Sequence, residues 1–303
     1  MRTSLPIFLT RLGRQSANHR RQPTPQAAAD PCVGRARQGN ELPFFDSELI
    51  KRGIRKGGAW VFGRKPRIHR IPFGPLRGKR IFLSFDISPR MYFGIDEPWV
   101  AQLARRHVTP GGVVYDIGAH VGYTCLLFAQ QVGKTGAVHA FEIVPSVAND
   151  YLRKTIDANR LTNVIVHNVG LSDKSQNLHL PVSDTMMTSP YAGLTAVRSE
   201  PCNTVCLDQY VSDNQLPFPS LMKIDVEEEE IRCLLGAMEL IRRCLPLMIV
   251  EFHTRTLLEE GYSLLAALGY TLSKPDDTRI DRQMLKTTTR FYGNVFCSPS
   301  RAR

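Results

Sequence analysis

The sequence predicts an α/β fold: a mostly parallel, seven-stranded sheet with helices on both faces, preceded by a small β-rich extension. Three observations carry this. Short apolar runs alternate with segments whose apolar residues recur at helical spacing. The stretch from Gly112 to Ser146 (GVVYDIGAHVGYTCLLFAQQVGKTGAVHAFEIVPS) reads as strand, glycine turn, helix, strand and acid, a βαβ unit. The run from Leu245 to His253 is nearly continuous in apolar residues, as a parallel strand buried on both faces requires.

In the βαβ unit the first strand, Val113 to Tyr115, ends in Asp116. The turn then runs Gly118-Ala119-His120-Val121-Gly122, and the second strand, Ala137 to Phe141, ends in Glu142. Glycines at this point let backbone approach a ligand, and the following helix start offers free N–H groups. Glu142 lies 20 positions after Gly122, near the spacing at which an acid accepts hydrogen bonds from ribose hydroxyls. The turn lacks the G-x-G-x-x-G of a dinucleotide site, with His120 where the middle glycine would stand. Asp116 would repel a pyrophosphate but suits a ligand carrying a sulfonium and an ammonium. S-adenosylmethionine (SAM) is such a ligand.

Composition narrows the classes further. The 303 residues are 43% hydrophobic, ordinary for a globular chain, and no apolar run reaches a bilayer's span. The net charge of +11 is concentrated at the start. Residues 1–90 hold 19 Lys and Arg against 5 Asp and Glu, whereas the rest is slightly acidic, with 20 against 23. A basic arm can attract nucleic acid or an anionic surface, although a solvated tail explains it as well. Of seven cysteines, Cys125, Cys233 and Cys244 lie in apolar segments, while Cys202 and Cys206 form a lone C-x-x-x-C. A reducing cytoplasm fits these thiols, and no residue group has metal-ligand spacing, so no metal is expected.

Residues 1–40 read as a disordered basic tail and 41–92 as a β-hairpin-containing lead-in. Within the lead-in, Ala59 to Phe62 is strand-like, and Ile68–Phe73 and Arg80–Asp86 flank the turn Gly74 to Gly78. The SAM-binding domain is expected over 93–300. A helix is predicted over 95–107, with Pro98 in its first turn. After Glu142 a helix starts at Pro145 and Ser146 and continues to Asn159. Val164 to Val169 is the third strand, and Gly170, Leu171 and Asp173 follow it, where backbone could line an adenine. Residues 174–204 contain Leu178-His179-Leu180 and a polar, Met-bearing loop around Asp184 to Thr195, which reads as a substrate lid or an insertion. A short helix is expected over 205–211 and the fourth strand over 221–226. Glu227 to Glu230 opens a helix with Ile231, Leu234, Leu235, Met238 and Ile241 on one face; the helix dipole explains most of that acidic run. A helix over 256–268 and strands at 270–273 and 290–296 complete the sheet.

VYDIGAHVGYT (114–124), AFEIVPS (140–146), NVGLSD (168–173), MKIDVEEEE (222–230), IVEFH (249–253) and the lead-in FGIDEP (93–98) together resemble the FkbM-type SAM-dependent methyltransferases. The resemblance covers roughly 68–296 and implies the class I Rossmann-like methyltransferase fold. It also implies a hydroxyl on a sugar, glycolipid or natural-product scaffold as acceptor. Two positions depart from the family pattern: His120 replaces an asparagine, and Glu228 replaces a glycine.

Methyl transfer from a sulfonium needs the nucleophile held in line near the methyl, and a hydroxyl must also lose its proton. Asp225, Glu227 and His253, at the ends of the fourth and fifth strands, are therefore expected to handle the acceptor. Asp116, Gly118, His120 and Gly122 should face the methionine end, Glu142 the ribose, and Gly170, Leu171 and Asp173 the adenine. Simpler roles stay open: Asp225 as a helix cap, Glu227 as a first-turn acid, His253 as a hydrogen-bonded structural residue. The expected partner is a small-molecule or glycan acceptor. An RNA methyltransferase using the basic start is the runner-up, and a NAD-dependent oxidoreductase ranks below it.

Overall fold

The structure is a computed structural model that describes residues 63, 65–183, 196–291 and 293–300. The chain divides into Met1–Phe45 and Asp46–Arg303. The tail over 1–40, the strand-like Ala59 to Phe62 and the centre of the long polar segment, 184–195, lie outside the described residues.

The lead-in hairpin pairs β1 (Arg67–Arg70) with β2 (Arg80–Leu83), antiparallel, around the Gly74 to Gly78 turn. It has no separate core: Ile71, Leu76, Ile81, Leu83 and Phe85 are buried in one cluster with Val100, Val114 and Leu126. Two helices follow, α1 (Pro89–Phe93) and α2 (Pro98–His107), each opened by a proline whose missing N–H costs nothing in the first turn. Between them, Gly94 approaches Phe73 so closely that a β-carbon there would meet the Phe73 carbonyl at 2.3 Å.

The main sheet is built from β3 (Val113–Ile117), β4 (Ala137–Phe141), β5 (Val164–His167), β9 (Leu221–Ile224), β10 (Leu247–Phe252), β11 (Tyr270–Ser273), β12 (Arg279–Ile280) and β13 (Gly293–Pro299). Its order is β12-β11-β13-β10-β9-β3-β4-β5. Strands β10, β9, β3, β4 and β5 are parallel, and β13 lies antiparallel between β10 and β11. Seven strands match the expected count, and the two-residue β12 adds an eighth at the edge. Because β3 pairs with β4 on one side and β9 on the other, the chain winds away from β3 in both directions. A crevice opens at the carboxyl ends of such strands. Ile117 aligns with Phe141 and with Ile224, so Gly118, Glu142 and Asp225 emerge at one level.

Helices α3 (Tyr123–Val132), α4 (Pro145–Val147), α5 (Arg153–Ala158), α6 (Leu207–Asp213), α7 (Glu230–Leu235), α8 (Met238–Cys244), α9 (Arg255–Ala267) and α10 (Arg282–Thr287) complete the frame, a π turn over Ala148–Leu152 joining α4 to α5. The single helix expected from Glu227 onward is two. Gly236 interrupts it, packed so closely on Ser172 that a β-carbon would meet that carbonyl at 2.0 Å.

The loop expected around Asp184 to Thr195 lies outside the described residues, and the residues flanking it within 174–204 form sheet. Strand β7 (Gln176–Ser183) pairs antiparallel with β8 (Ala196–Val205), and β6 (Gly170–Leu171) adds a third strand. Leu178, Leu180 and Val182 turn to one side at the strand period of two, which the intervening His179 and Pro181 obscure in the sequence. No helix among the described residues is long and apolar enough to cross a membrane, and all six of their cysteines are free.

Candidate functional site

A cavity of about 490 Å³ opens over the carboxyl ends of β3, β4, β9 and β10, within the size range of small-molecule sites. Its walls come from the β3–α3 turn, Glu142, the β6–β8 sheet, the start of α2 and the strand ends carrying Asp225 and His253.

The glycine turn is shaped by three consecutive needs. Gly118 has φ +80, and a β-carbon there would lie 1.8 Å from the Asp225 carbonyl oxygen, so only glycine lets the turn cross β9. His120 adopts φ +50, a region that histidine enters more readily than most residues. Gly122, at φ +91, begins α3 against Leu152. Glu142 is buried beneath this turn and lines the cavity. Its Oε2 accepts from the His120 N–H at 2.8 Å and its Oε1 from the Val144 N–H at 2.9 Å. Burial pushes its pKa up to about 7 against those two hydrogen bonds. Each oxygen keeps a further lone pair for a hydroxyl donor.

Several expected site residues lie elsewhere. Asp116 does not line the cavity. It is fully buried below the turn, where its Oδ2 accepts from Thr124 Oγ1 at 2.7 Å and from Cys125 Sγ at 3.0 Å. Through this oxygen it ties β3 to the first turn of α3, behind the residues that line the cavity. Gly122 likewise stands behind the wall. Asp173 is exposed and outside the cavity, hydrogen-bonded by Ser172 Oγ; Gly170, Leu171 and Ser172 form that wall instead. Gly118, His120, Glu142, Asp225, Glu227 and His253 all face the cavity.

At the far end the cavity is densely charged. Lys223 and Asp225 lie two apart on the β9 line, and Glu251 and His253 two apart on the β10 line, so both pairs project to the same side. Glu97 enters from the start of α2, with φ +46 and no capping hydrogen bond to its own helix. Carboxylate oxygens of Glu97, Asp225 and Glu251 lie within 4.8 Å of one another, close enough to share one cation. The ammonium of Lys223, 2.8 Å from Asp225 Oδ2 and almost wholly buried, supplies positive charge among them. Burial opposes its charge, but Asp225, Asp116 and Glu97 raise its pKa nonetheless. Burial likewise opposes the Asp225 charge, and Lys223 prevails to hold that carboxyl low.

His253 is gripped by three carboxylates: Nδ1 meets Glu230 Oε1 at 2.8 Å, and Nε2 lies 3.5 Å from Glu227 and 3.7 Å from Asp225. Burial works against its charge, yet these partners raise its pKa to about 9. It is therefore an imidazolium at neutral pH and a poor proton acceptor. Glu230 is no solvated first-turn acid: it is fully buried, and its Oε1 also accepts from the Glu228 N–H at 3.0 Å. The helix begins at Glu230, after Glu227 at φ +50 and Glu228 at φ +77. Glu228 thus occupies a conformation natural to the glycine it replaces.

Sequence reasoning missed Asp96, Glu97, Lys223, Glu230 and Glu251. Two signals were present: the period-two pairs 223/225 and 251/253, and an acid directly before Pro98. Nothing in the linear spacing joins position 97 to position 251.

The family described as the methyltransferase FkbM domain matches residues 116–281, more than half of the chain. No curated protein sequence matches. Similar solved structures include a methyltransferase FkbM from Methylobacillus flagellatus KT, 14% identical over 65% of this chain and 50% of that one, with a TM-score of 0.41. This chain thus spans half of that protein's length. A SAM-dependent O-methyltransferase from Thermotoga maritima is 14% identical over 80% and 82% of the two chains, with a TM-score of 0.43. Aeropyrum pernix fibrillarin, solved with natively bound SAM, is 12% identical over 77% and 88%, with a TM-score of 0.43.

Proposed function

From the premise that the chain belongs to the methyltransferase FkbM domain family, whose methyl donor is SAM, we propose that it methylates a hydroxyl of a sugar, glycolipid or natural-product acceptor. The carrying observation is the charge of the cavity. Asp96, Glu97, Glu142, Asp225, Glu227, Glu229 and Glu251 line it, against Lys223, Arg232 and the His253 imidazolium. Such a surface attracts a cationic donor and repels a diphosphate, which weighs against a dinucleotide. It equally repels an RNA backbone, so an uncharged hydroxyl acceptor is favoured over the basic-arm reading.

Bound SAM supplies an electrophilic methyl with a neutral leaving group. In this reading the chain's own residues divide the remaining work. Glu142 holds the ribose hydroxyls, the turn from Gly118 to His120 shapes the methionine end, and Gly170, Leu171 and Ser172 line the base. The charged end formed by Glu97, Lys223, Asp225, Glu227, Glu251 and His253 receives the acceptor.

A thermal-shift series with S-adenosylhomocysteine, NAD and NADP tests the donor, with Glu142→Ala as control. Stabilisation by S-adenosylhomocysteine alone, largely lost in Glu142→Ala, is expected. Stabilisation by the dinucleotides alone overturns the assignment. Transfer of labelled methyl to RNA but to no member of a sugar and glycolipid panel overturns the acceptor class.

A further inference from the structure

Two cavity carboxyls are held near neutrality, and they are bonded differently. Glu142 is committed to two backbone N–H donors. Glu97 makes no ion pair among the described residues, and its side chain has one long contact, an Asn294 amide at 3.5 Å. A helix-start carboxylate ordinarily folds back on its own helix. Here the backbone at Glu97 takes a left-handed conformation directly before Pro98, and the side chain points into the cavity beside Asp225 and Glu251. Three other candidates for proton acceptor are engaged: His253 is an imidazolium, Asp225 is paired with Lys223, and Glu227 lies against His253; Glu251 beside them is buried on β10.

We propose that Glu97 is the general base that takes the acceptor's proton during methyl transfer, a role that rests on the hydroxyl-acceptor reading above. The hydroxyl oxygen uses a lone pair to form the new O–CH3 bond. The S–CH3 bond breaks with its electron pair staying on sulphur, and the hydroxyl proton passes to the Glu97 carboxylate and then to solvent. The electrostatics suit this. Burial, then the carboxylates of Glu251, Asp225 and Asp96, raise the Glu97 pKa to about 7 against the attraction of Lys223. Tyr123 and, beyond Asp96, Arg90 are the other titratable groups facing this corner. A base poised near ambient pH is the efficient case.

Sinefungin tests this without a known acceptor, because it carries an ammonium where SAM carries its methyl-bearing sulfonium. Calorimetry should compare sinefungin with S-adenosylhomocysteine across pH 6 to 8. If Glu97 faces the methyl position, the preference for sinefungin rises about tenfold over that range as the carboxyl ionises. In Glu97→Gln the preference should be low and flat, with S-adenosylhomocysteine affinity retained. A flat wild-type curve overturns the role, and needs no variant to fold. Unchanged preference in Glu97→Gln, or its loss in Glu227→Gln instead, also overturns it. Failure of wild-type protein to bind either ligand removes the donor assignment and this role together, and is distinguished by the loss of both.

Discussion

The two ends of the cavity are built by different means. The end proposed for the donor is largely local: one strand, one turn and the next strand, from Asp116 to Glu142, set most of its backbone shape, with Gly170, Leu171 and Ser172 as a further wall. The end proposed for the acceptor is a meeting of distant residues, Glu97 from a helix start, Lys223 and Asp225 from the β9 line, and Glu251 and His253 from the β10 line. The first depends on close backbone approach, the second on a balance of buried charge. Damage to the glycine turn should therefore look unlike damage to the charged end: steric at the turn, electrostatic and pH-dependent among the charged residues.

The largest effect should follow Gly118→Ala. The new β-carbon would overlap the Asp225 carbonyl at 1.8 Å, and both partners are backbone, so nothing flexible can yield. A loss of about 4 kcal/mol or more in urea unfolding is expected, together with loss of the S-adenosylhomocysteine response. Gly269→Ala is the matched control. Its φ is a similar +81, but nothing lies within 4 Å, so only the conformational cost of about 1 kcal/mol applies. Equal costs at the two positions would mean that close approach plays no part at the donor end.

His253→Gln probes the other end. It removes the cation between Glu230, Glu227 and Asp225, leaving a fully buried carboxylate without its charged partner. A destabilisation of about 3 kcal/mol is expected near neutral pH. The sign with pH follows from the raised pKa. The histidine's contribution is complete below its ordinary value of 6.5 and fades as pH climbs through about 9. Wild type and variant should thus converge in alkaline solution, while S-adenosylhomocysteine affinity stays within about twofold, as expected for separated sites. A pH-independent difference would show that packing, and not charge, makes this histidine important.

The same division explains what was legible in the sequence. The glycine turn and the placement of Glu142 follow from local pattern, and seven strands of the main sheet announced themselves by apolar runs, the two-residue β12 excepted. Asp116 was expected to face the ligand because of its position before the turn, whereas it lies below the turn with Thr124 and Cys125 of the next helix donating to its Oδ2. Glu97 was invisible as a site residue because its meaning depends on β9 and β10, far along the chain. The hairpin of β7 and β8 was hidden by prolines and polar residues on its outer side. Glu230 passed as one acid in a favourable helix start, and only three-dimensional packing shows it buried beneath His253.

The smallest expected effect concerns Glu228, where a local rule is broken beside the acceptor end. At φ +77 a glutamate carries about 1–2 kcal/mol of backbone strain that glycine would not. Glu228→Gly removes that strain but gives the unfolded chain more freedom, at about 0.4–1 kcal/mol. The Glu228 N–H that donates to Glu230 Oε1 is kept by glycine. The net expectation is a stabilisation of about 0.5–1 kcal/mol, read as a higher urea midpoint with an unchanged slope. Removing one of the charges that raise the Glu227 pKa should also let that carboxyl ionise more readily. A lowered midpoint would instead mean that the Glu228 side chain itself braces the turn, and that the acceptor end tolerates its strain in exchange for a fixed loop.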